Sequence, residues 1–390
     1  MSPDKPDFDV DILVQGAGIG GLTLAIALLQ RSYSVKVVER SSMLSEIGAG
    51  IWMAANPMQA FDKLGIAGKI ADSGWMVKLL RLQDYTGYDI QVTDISEIAK
   101  TFGFETVALH RSLLQKVLFD QLPSGTVAFG TEIRTVIQSA DSVTVQLEND
   151  STVHAKVLVG ADGINSRVRS LVSLGGEKRY SGSSSYRAIA RDAHLASLIS
   201  DHEAYEIWGK GCRVGFSKIN SSDFYWYMTF ESPAGLTSSA EQMRSHAESI
   251  FHSFFPQWIA LLEQTRPDEI LRTDISDLKP LKKWSFGRVG LIGDAAHATT
   301  PNLGQGGAMA VEDALELAQS FDEFGLNGAA FERFEKRRRE KVDWIVSASW
   351  SIGRICHYSN PIARSIRNAL LMHTPKSYGK KQIMRIYSVD

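Results

Sequence analysis

Apolar positions come first as a short run, Val10 to Val14, then as a longer uncharged stretch. From Ile12 to Gln30 no residue is charged, a length that would suit a membrane span, but the glycines at 16, 18, 20 and 21 divide it into a buried strand, a tight turn and a buried helix. Met1 to Asp11 is net acidic, unlike the basic start of a secretory leader, and no transit or lipidation pattern is visible. A second apolar run, Val35-Lys36-Val37-Val38, ends in Glu39 and completes a strand, helix, strand unit.

Downstream the period changes repeatedly. Gly48-Ala49-Gly50-Ile51 and Asn56-Pro57 mark a loop before a helix carrying Met58, Phe61 and Leu64, and a further helix is expected over Ser112 to Gln121. Alternating runs such as Leu79-Leu80-Arg81-Leu82 and Val143-Thr144-Val145-Gln146-Leu147 read as strands. From about Tyr180 to Leu281 the chain is β-rich and aromatic, with turns at Gly209-Lys210-Gly211 and Asn220-Ser221-Ser222-Asp223. These patterns predict an α/β fold: a discontinuous, Rossmann-type nucleotide-binding domain of residues 1–76, 102–179 and 282–345, a β-rich second domain of 77–101 and 180–281, and a helical tail of 346–390.

Three glycine-and-acid segments carry the candidate chemistry. Gly16-Ala17-Gly18-Ile19-Gly20-Gly21 follows a strand and opens a helix, the context of a dinucleotide fingerprint, and Glu39 stands about twenty residues on, where a carboxylate accepts unphosphorylated ribose hydroxyls. Gly160-Ala161-Asp162-Gly163 ends a later strand. The third, Gly290-Leu291-Ile292-Gly293-Asp294-Ala295-Ala296-His297, leads through Pro301-Asn302-Leu303-Gly304-Gln305-Gly306-Gly307 into a helix over Ala308 to Phe321, a second place where backbone donors converge. His297 directly after a strand is read as satisfying local backbone groups rather than as a base.

In these three motifs, their order and their spacing, nearly the whole chain resembles the FAD-dependent aromatic hydroxylases, the single-component flavoprotein monooxygenases of the 4-hydroxybenzoate hydroxylase type. The resemblance implies a Rossmann-type FAD-binding domain beside a β-rich substrate domain. It assigns Gly16, Gly18, Gly21, Glu39 and the neighbouring Arg40 to the ADP half of FAD, and Arg111 to an arginine reaching across the cofactor. It assigns Asp162 to a motif tied to both FAD and NAD(P)H, Asp294 to the flavin ribitol, and Gly50, Pro301, Gly304, Gly306 and Gly307 to loops beside the isoalloxazine. Asp162 has a second reading, as the cap of the helix after its strand.

The activity so implied is hydroxylation or epoxidation of a small aromatic, heteroaromatic or unsaturated molecule with NAD(P)H and O2, through a flavin C4a-hydroperoxide. Such a species survives only where water is excluded. Because a second dinucleotide fingerprint is not visible, NAD(P)H is expected as a transient co-substrate. The aromatic sheet is the expected substrate wall, with Arg213, Tyr225 and Phe216 as contacts. An arginine in an aromatic strand has to be paired, at an edge, or facing a polar ligand. The run Gly209-Lys210-Gly211-Cys212-Arg213-Val214 followed by Phe224-Tyr225 is similar to the FAD-dependent urate hydroxylase branch. A flavin-linked reductase or saturase acting on isoprenoid-type substrates shares the first motif and Asp294; a flavin-dependent halogenase would need a Trp-x-Trp-x-Ile-Pro segment, which the sequence lacks.

Composition narrows the setting. With 390 residues, 44% hydrophobic, 22% charged and a formal net charge of −2, the balance argues against a nucleic-acid partner. Two cysteines, Cys212 and Cys356, form neither a disulfide framework nor a metal-ligand spacing, so a reduced, cytoplasmic setting and no metal are expected. The tail turns basic after Leu326, and apolar Ile362, Ile366, Leu370 and Leu371 lie among arginines. A packed tail or weak membrane contact both fit that pattern, and the chain is expected as a monomer or homodimer.

Overall fold

The computed structural model describes residues 9–44, 49–191, 195, 199–374 and 376–389. Gly48, read above as part of a flavin-facing loop, lies outside the described residues. Three sheets organise the described residues.

At the centre of the first sheet β1 (Val10–Gln15) pairs in parallel with β2 (Val35–Glu39) and with β11 (Thr152–Gly160). Beyond β2 lies β8 (Val127–Phe129); beyond β11 lie β18 (Val289–Leu291) and β17 (Ser285–Phe286). An antiparallel pair, β9 (Ile133–Gln138) and β10 (Val143–Leu147), joins through β11. Parallel strands buried on both faces account for the unbroken apolar runs that mark β1 and β11 in the sequence. The helix Ile19–Leu29 that follows β1 is buried from Ile19 through Leu28 apart from Gly20, so its uncharged sequence belongs to a core helix. Among the described residues no helix is long and apolar enough to cross a membrane.

The second sheet runs β16 (Leu271–Leu278), β12 (Lys178–Arg191), β15 (Asp223–Glu231), β14 (Cys212–Lys218), β13 (Glu203–Trp208), β5 (Leu79–Asp84) and β6 (Asp89–Asp94). The parallel pairing of β5 with β13 draws residues 79–94 into the aromatic sheet. Its alternation sorts side chains cleanly. Phe224, Trp226, Met228 and Phe230 of β15 pack with Val214 and Phe216 of β14 into a core backed by the helix Ala240–Phe254, while Tyr225, Tyr227 and Thr229 alternate with them and so point to the other side. A small third sheet, β3 (Gly50–Met53), β7 (Thr106–His110) and β4 (Trp75–Val77), bridges toward that side, where Trp52 Nε1 donates to Ser217 Oγ at 2.9 Å.

The boundary expected after residue 345 falls inside one continuous helix, Gly328–Cys356, which carries the chain from the first sheet to the second. The helix Pro361–Met372 is pinned to the second sheet by Arg367 over the Trp208 ring. The chain then returns toward the first sheet, where Gln59 Nε2 donates to the Tyr387 carbonyl at 3.0 Å.

Candidate active site

The turn after β1 is shaped by close approaches. Gly16 has φ +107°, and a Cβ on Gly21 would lie 2.0 Å from the Gly16 carbonyl oxygen, so only glycines let the helix start this near the strand. Gly18 differs: a Cβ there would meet nothing within 4 Å. It N-caps the helix Ile19–Leu29 with no side-chain hydrogen bond, which leaves first-turn N–H groups for a ligand. Glu39, at the end of β2, accepts from the Ala17 N–H at 2.8 Å and the Ser41 N–H at 2.9 Å, so its carboxylate sits beside that opening. Gln115 Nε2 steadies the same turn by donating to the Ala17 carbonyl at 2.6 Å. Arg40 is exposed next to Glu39.

A buried carboxylate positions the third motif. Asp313 Oδ2 accepts from the Gly293 N–H at 2.9 Å and pairs with His297 Nε2 at 2.6 Å, while Oδ1 accepts from Arg338 Nε at 2.8 Å. Burial alone would raise the Asp313 carboxyl, but His297 and Arg338 together hold it down at about 2. The turn so fixed presents Asp294 to the cleft, where its side chain is solvent-accessible and accepts no hydrogen bond among the described residues. The surrounding protein pushes the Asp294 carboxyl up, and His297 and Arg111 pull it back. Arg111, the first residue of the helix Arg111–Phe119, feels the reciprocal pull of Asp294 and repulsion from Arg187, with burial the main cause of its lowered pKa.

These motifs converge. A Cβ on Gly306 would lie 3.8 Å from Asp294 Oδ1, and one on Gly307 would lie 3.1 Å from Ile51 of β3 and 3.9 Å from Ile19 of the first helix. Pro301 starts a short 3₁₀ turn that ends at Gly304, whose Cβ position is open. The helix Gly306–Phe324, like the first, has no side-chain cap. Two uncapped helix N-termini, open glycine positions and, among the described residues, a carboxylate (Asp294) and an arginine (Arg111) without side-chain hydrogen bonds form a cradle that fits a long, doubly charged dinucleotide with a polar ring.

Asp162 takes part in a helix cap. Its Oδ1 accepts from Ser166 Oγ at 2.6 Å and its Oδ2 from the N–H groups of Arg167 and Val168 at 2.7 and 3.1 Å, so in this structure it caps the helix Arg167–Leu171. Arg169 ties this segment to the Asp294 turn by donating to the Ala295 carbonyl at 2.8 Å.

On the second sheet Tyr225, Tyr227 and Arg213 share the face toward the cradle, on neighbouring strands with Arg213 opposite Thr229. Gly50 abuts the Tyr225 ring, since a Cβ on it would lie 2.3 Å from the ring carbon Cγ. Arg213 is 2% exposed and fully engaged: Nη1 donates to Glu206 Oε1 at 2.9 Å, Nε to Thr229 Oγ1 at 3.1 Å, and Nη2 to Asn302 Oδ1 in the cofactor-side loop. Of the three alternatives open for this arginine, it is paired. Tyr227 lies across Gly215 and donates to Glu206 Oε2 at 2.6 Å. Phe216 requires a correction. It faces away from the cradle and stacks on Tyr205 at 5.0 Å and against Trp258 at 4.5 Å, filling the helix-backed core instead of lining a substrate wall.

Glu206, Asn302, Gln115 and Asp313 were not singled out from sequence.

Comparison with known proteins agrees with this geometry. Residues 9–342 match the FAD binding domain family model. The chain is 33% identical over 92% of its length to the aurachin C monooxygenase/isomerase of Stigmatella aurantiaca, covering 93% of that protein. It is 31% identical to the 2-heptyl-3-hydroxy-4(1H)-quinolone synthase of Pseudomonas aeruginosa, over 97% of each chain. The crystal structure of Klebsiella pneumoniae HpxO complexed with FAD and uric acid superposes with a TM-score of 0.89 at 25% identity, covering 97% of this chain and 96% of that one. A cradle built for a dinucleotide, a family model spanning most of the chain and monooxygenase relatives along its whole length agree: the chain belongs to the FAD-dependent aromatic hydroxylase family, as a flavoprotein monooxygenase with NAD(P)H as co-substrate.

Proposed function

We propose that this enzyme hydroxylates or epoxidises an uncharged, lipophilic heteroaromatic compound of the 4(1H)-quinolone type. The observation that carries the reading is the ion pair between Arg213 and Glu206. Desolvating an anionic substrate requires a cation free to meet it, and Arg213 is already matched by a carboxylate. Apart from Arg187, which stands opposite Tyr227, that wall is aromatic: Tyr225, Tyr227, whose phenol burial and Glu206 hold protonated far above neutral pH, and Trp52. The relative from Pseudomonas aeruginosa, a 4(1H)-quinolone synthase, supports the same class.

FAD bound in the cradle supplies two-electron reduction by NAD(P)H and the activation of O2. Around it the chain's residues bind, orient and exclude. Glu39 and the Gly18 turn would hold the ADP half, Asp294 and Arg111 the ribitol and ring side, and the 301–307 loop the ring edge. Tyr225, seated on Gly50, closes the substrate side against water. The enzyme works on its small-molecule substrate and O2 in the cytoplasm, as a monomer or homodimer, a reading supported by two buried, unpaired cysteines.

Arg187 favours a second reading, an oxidised purine. It has no carboxylate partner among the described residues and acts electrostatically on Tyr225. The two are separated by following O2 uptake and NADH or NADPH oxidation by flavin-loaded enzyme with 2-alkyl-4(1H)-quinolones, urate and hydroxybenzoates. Quinolones should stimulate turnover and gain one oxygen atom in mass. Stimulation by urate or a carboxylate alone would overturn the proposal.

A further inference from the structure

Exposed apolar side chains are unevenly spread over this protein. Of the fifteen large hydrophobic residues that are exposed among the described residues, six fall between residues 355 and 372. Ile362, Ile366 and Leu370 stand four residues apart on the helix Pro361–Met372, forming one stripe with exposures of 70%, 57% and 67%. The opposite side of that helix is anchored. Arg367 is buried, lies 4.5 Å from the centre of the Trp208 ring, and donates to the Ile355 and Cys356 carbonyls at 3.3 and 3.2 Å. The anchor holds the stripe facing outward.

The segment that carries the stripe is rich in cations. Trp344 to Val389 contains seven lysines and arginines and no aspartate or glutamate, in a chain whose net charge is −2; Arg367 among them is the buried anchor, Arg385 pairs with Glu340, and Asp84 and Glu231 are the carboxylates near this face. Nearby cations rest on aromatic faces and have no carboxylate partner among the described residues: Arg364 and Lys210 lie 4.8 and 5.4 Å from the Tyr85 ring centre. Arg354 is exposed near the end of the preceding helix, Gly328–Cys356.

We propose that this face docks the enzyme on an anionic lipid surface. Ile362, Ile366 and Leu370 enter the headgroup boundary while the flanking arginines and lysines pair with lipid phosphates, the pattern of an interfacial amphipathic helix. A symmetric contact with a second copy is disfavoured, because an isologous interface would set this net-positive face against itself. The contact is peripheral and independent of which substrate is oxidised.

Co-sedimentation of the FAD-loaded enzyme with vesicles tests this without any substrate. Wild-type protein should pellet with phosphatidylglycerol-containing vesicles, not with phosphatidylcholine alone, and release at high salt. Ile366→Asp/Leu370→Asp should weaken that binding by about tenfold or more while keeping flavin content. Ile362→Gln, at the most exposed position, gives a milder arm should the double variant lose flavin. Failure of the wild type to pellet, or equal pelleting of folded variants, would overturn the proposal. So would sedimentation equilibrium showing a wild-type dimer that the same substitutions convert to monomer without vesicle binding.

Discussion

Asp313 holds the backbone N–H of Gly293 at 2.9 Å, and through that bond a residue in the middle of a helix fixes the turn that presents Asp294. The same carboxylate binds His297 and Arg338, so the histidine that sequence inspection singles out is a brace for the turn. Asp313→Asn should cost about 3–5 kcal/mol, the usual effect of breaking a buried ion pair, and loosen flavin retention. Its carboxyl is held at about 2, below its ordinary 3.8, so its contribution is complete above about 4 and disappears as pH falls toward 2. Thermal melts of wild type and variant should converge only in that acid range.

Glu39 is proposed as the acceptor for the ADP ribose. Glu39→Ala removes charge-assisted hydrogen bonds of about 1.5–3 kcal/mol each, so FAD should bind about 10- to 100-fold more weakly. Titrating apo-protein with FAD reads this directly. An unchanged dissociation constant would remove Glu39 from the site.

Arg213 and Glu206 are expected to set substrate charge. Glu206→Gln frees the guanidinium from its carboxylate, so ligands bearing a carboxylate or enolate should gain in kcat/KM relative to neutral quinolones. A preference ratio that does not move would show that this pair acts in folding alone.

His357 gives the clearest pH dependence outside the cradle. Burial and the nearby Arg213 push it down to about 4, and Nε2 bonds Thr229 Oγ1 at 2.8 Å while Nδ1 bonds the Gly353 carbonyl at 2.8 Å. The carbonyl can only accept, so Nδ1 carries the proton and Nε2 accepts from threonine. A histidine neutral in the fold and cationic when unfolded stabilises fully above about 6.5 and loses that contribution as pH falls to about 4, a total of roughly 3 kcal/mol. His357→Gln should flatten the stability profile across that interval.

Much of the architecture was legible because it is local. Glycine spacing marked the β1 turn, alternation marked β5 and β10, and a run of small and apolar residues marked the core helix after β1. The pairings that finish the site are not local: Gln115 reaches Ala17 across 98 residues, and Arg213 meets Asn302 across 89. Charge and spacing along one segment do not reveal such partners. Phe216 was misplaced for a different reason. Arg213 and Phe216 are three apart on one strand, so a period of two puts them on opposite faces, and aromatic character outweighed that parity in the reading. Asp162 illustrates a third case, where one sequence position serves a cap and a motif equally well.

Equilibrium FAD binding by the apo-protein and its Asp294→Ala variant tests the central claim most directly, that Asp294 and Arg111 face each other across a flavin cradle between the two large sheets. Wild type should bind one FAD per chain, with the flavin absorbance shifted from that of free FAD. Asp294→Ala should bind more weakly by about tenfold or more. A wild-type protein that takes up no FAD, or a variant that binds it as tightly as wild type, would contradict the account.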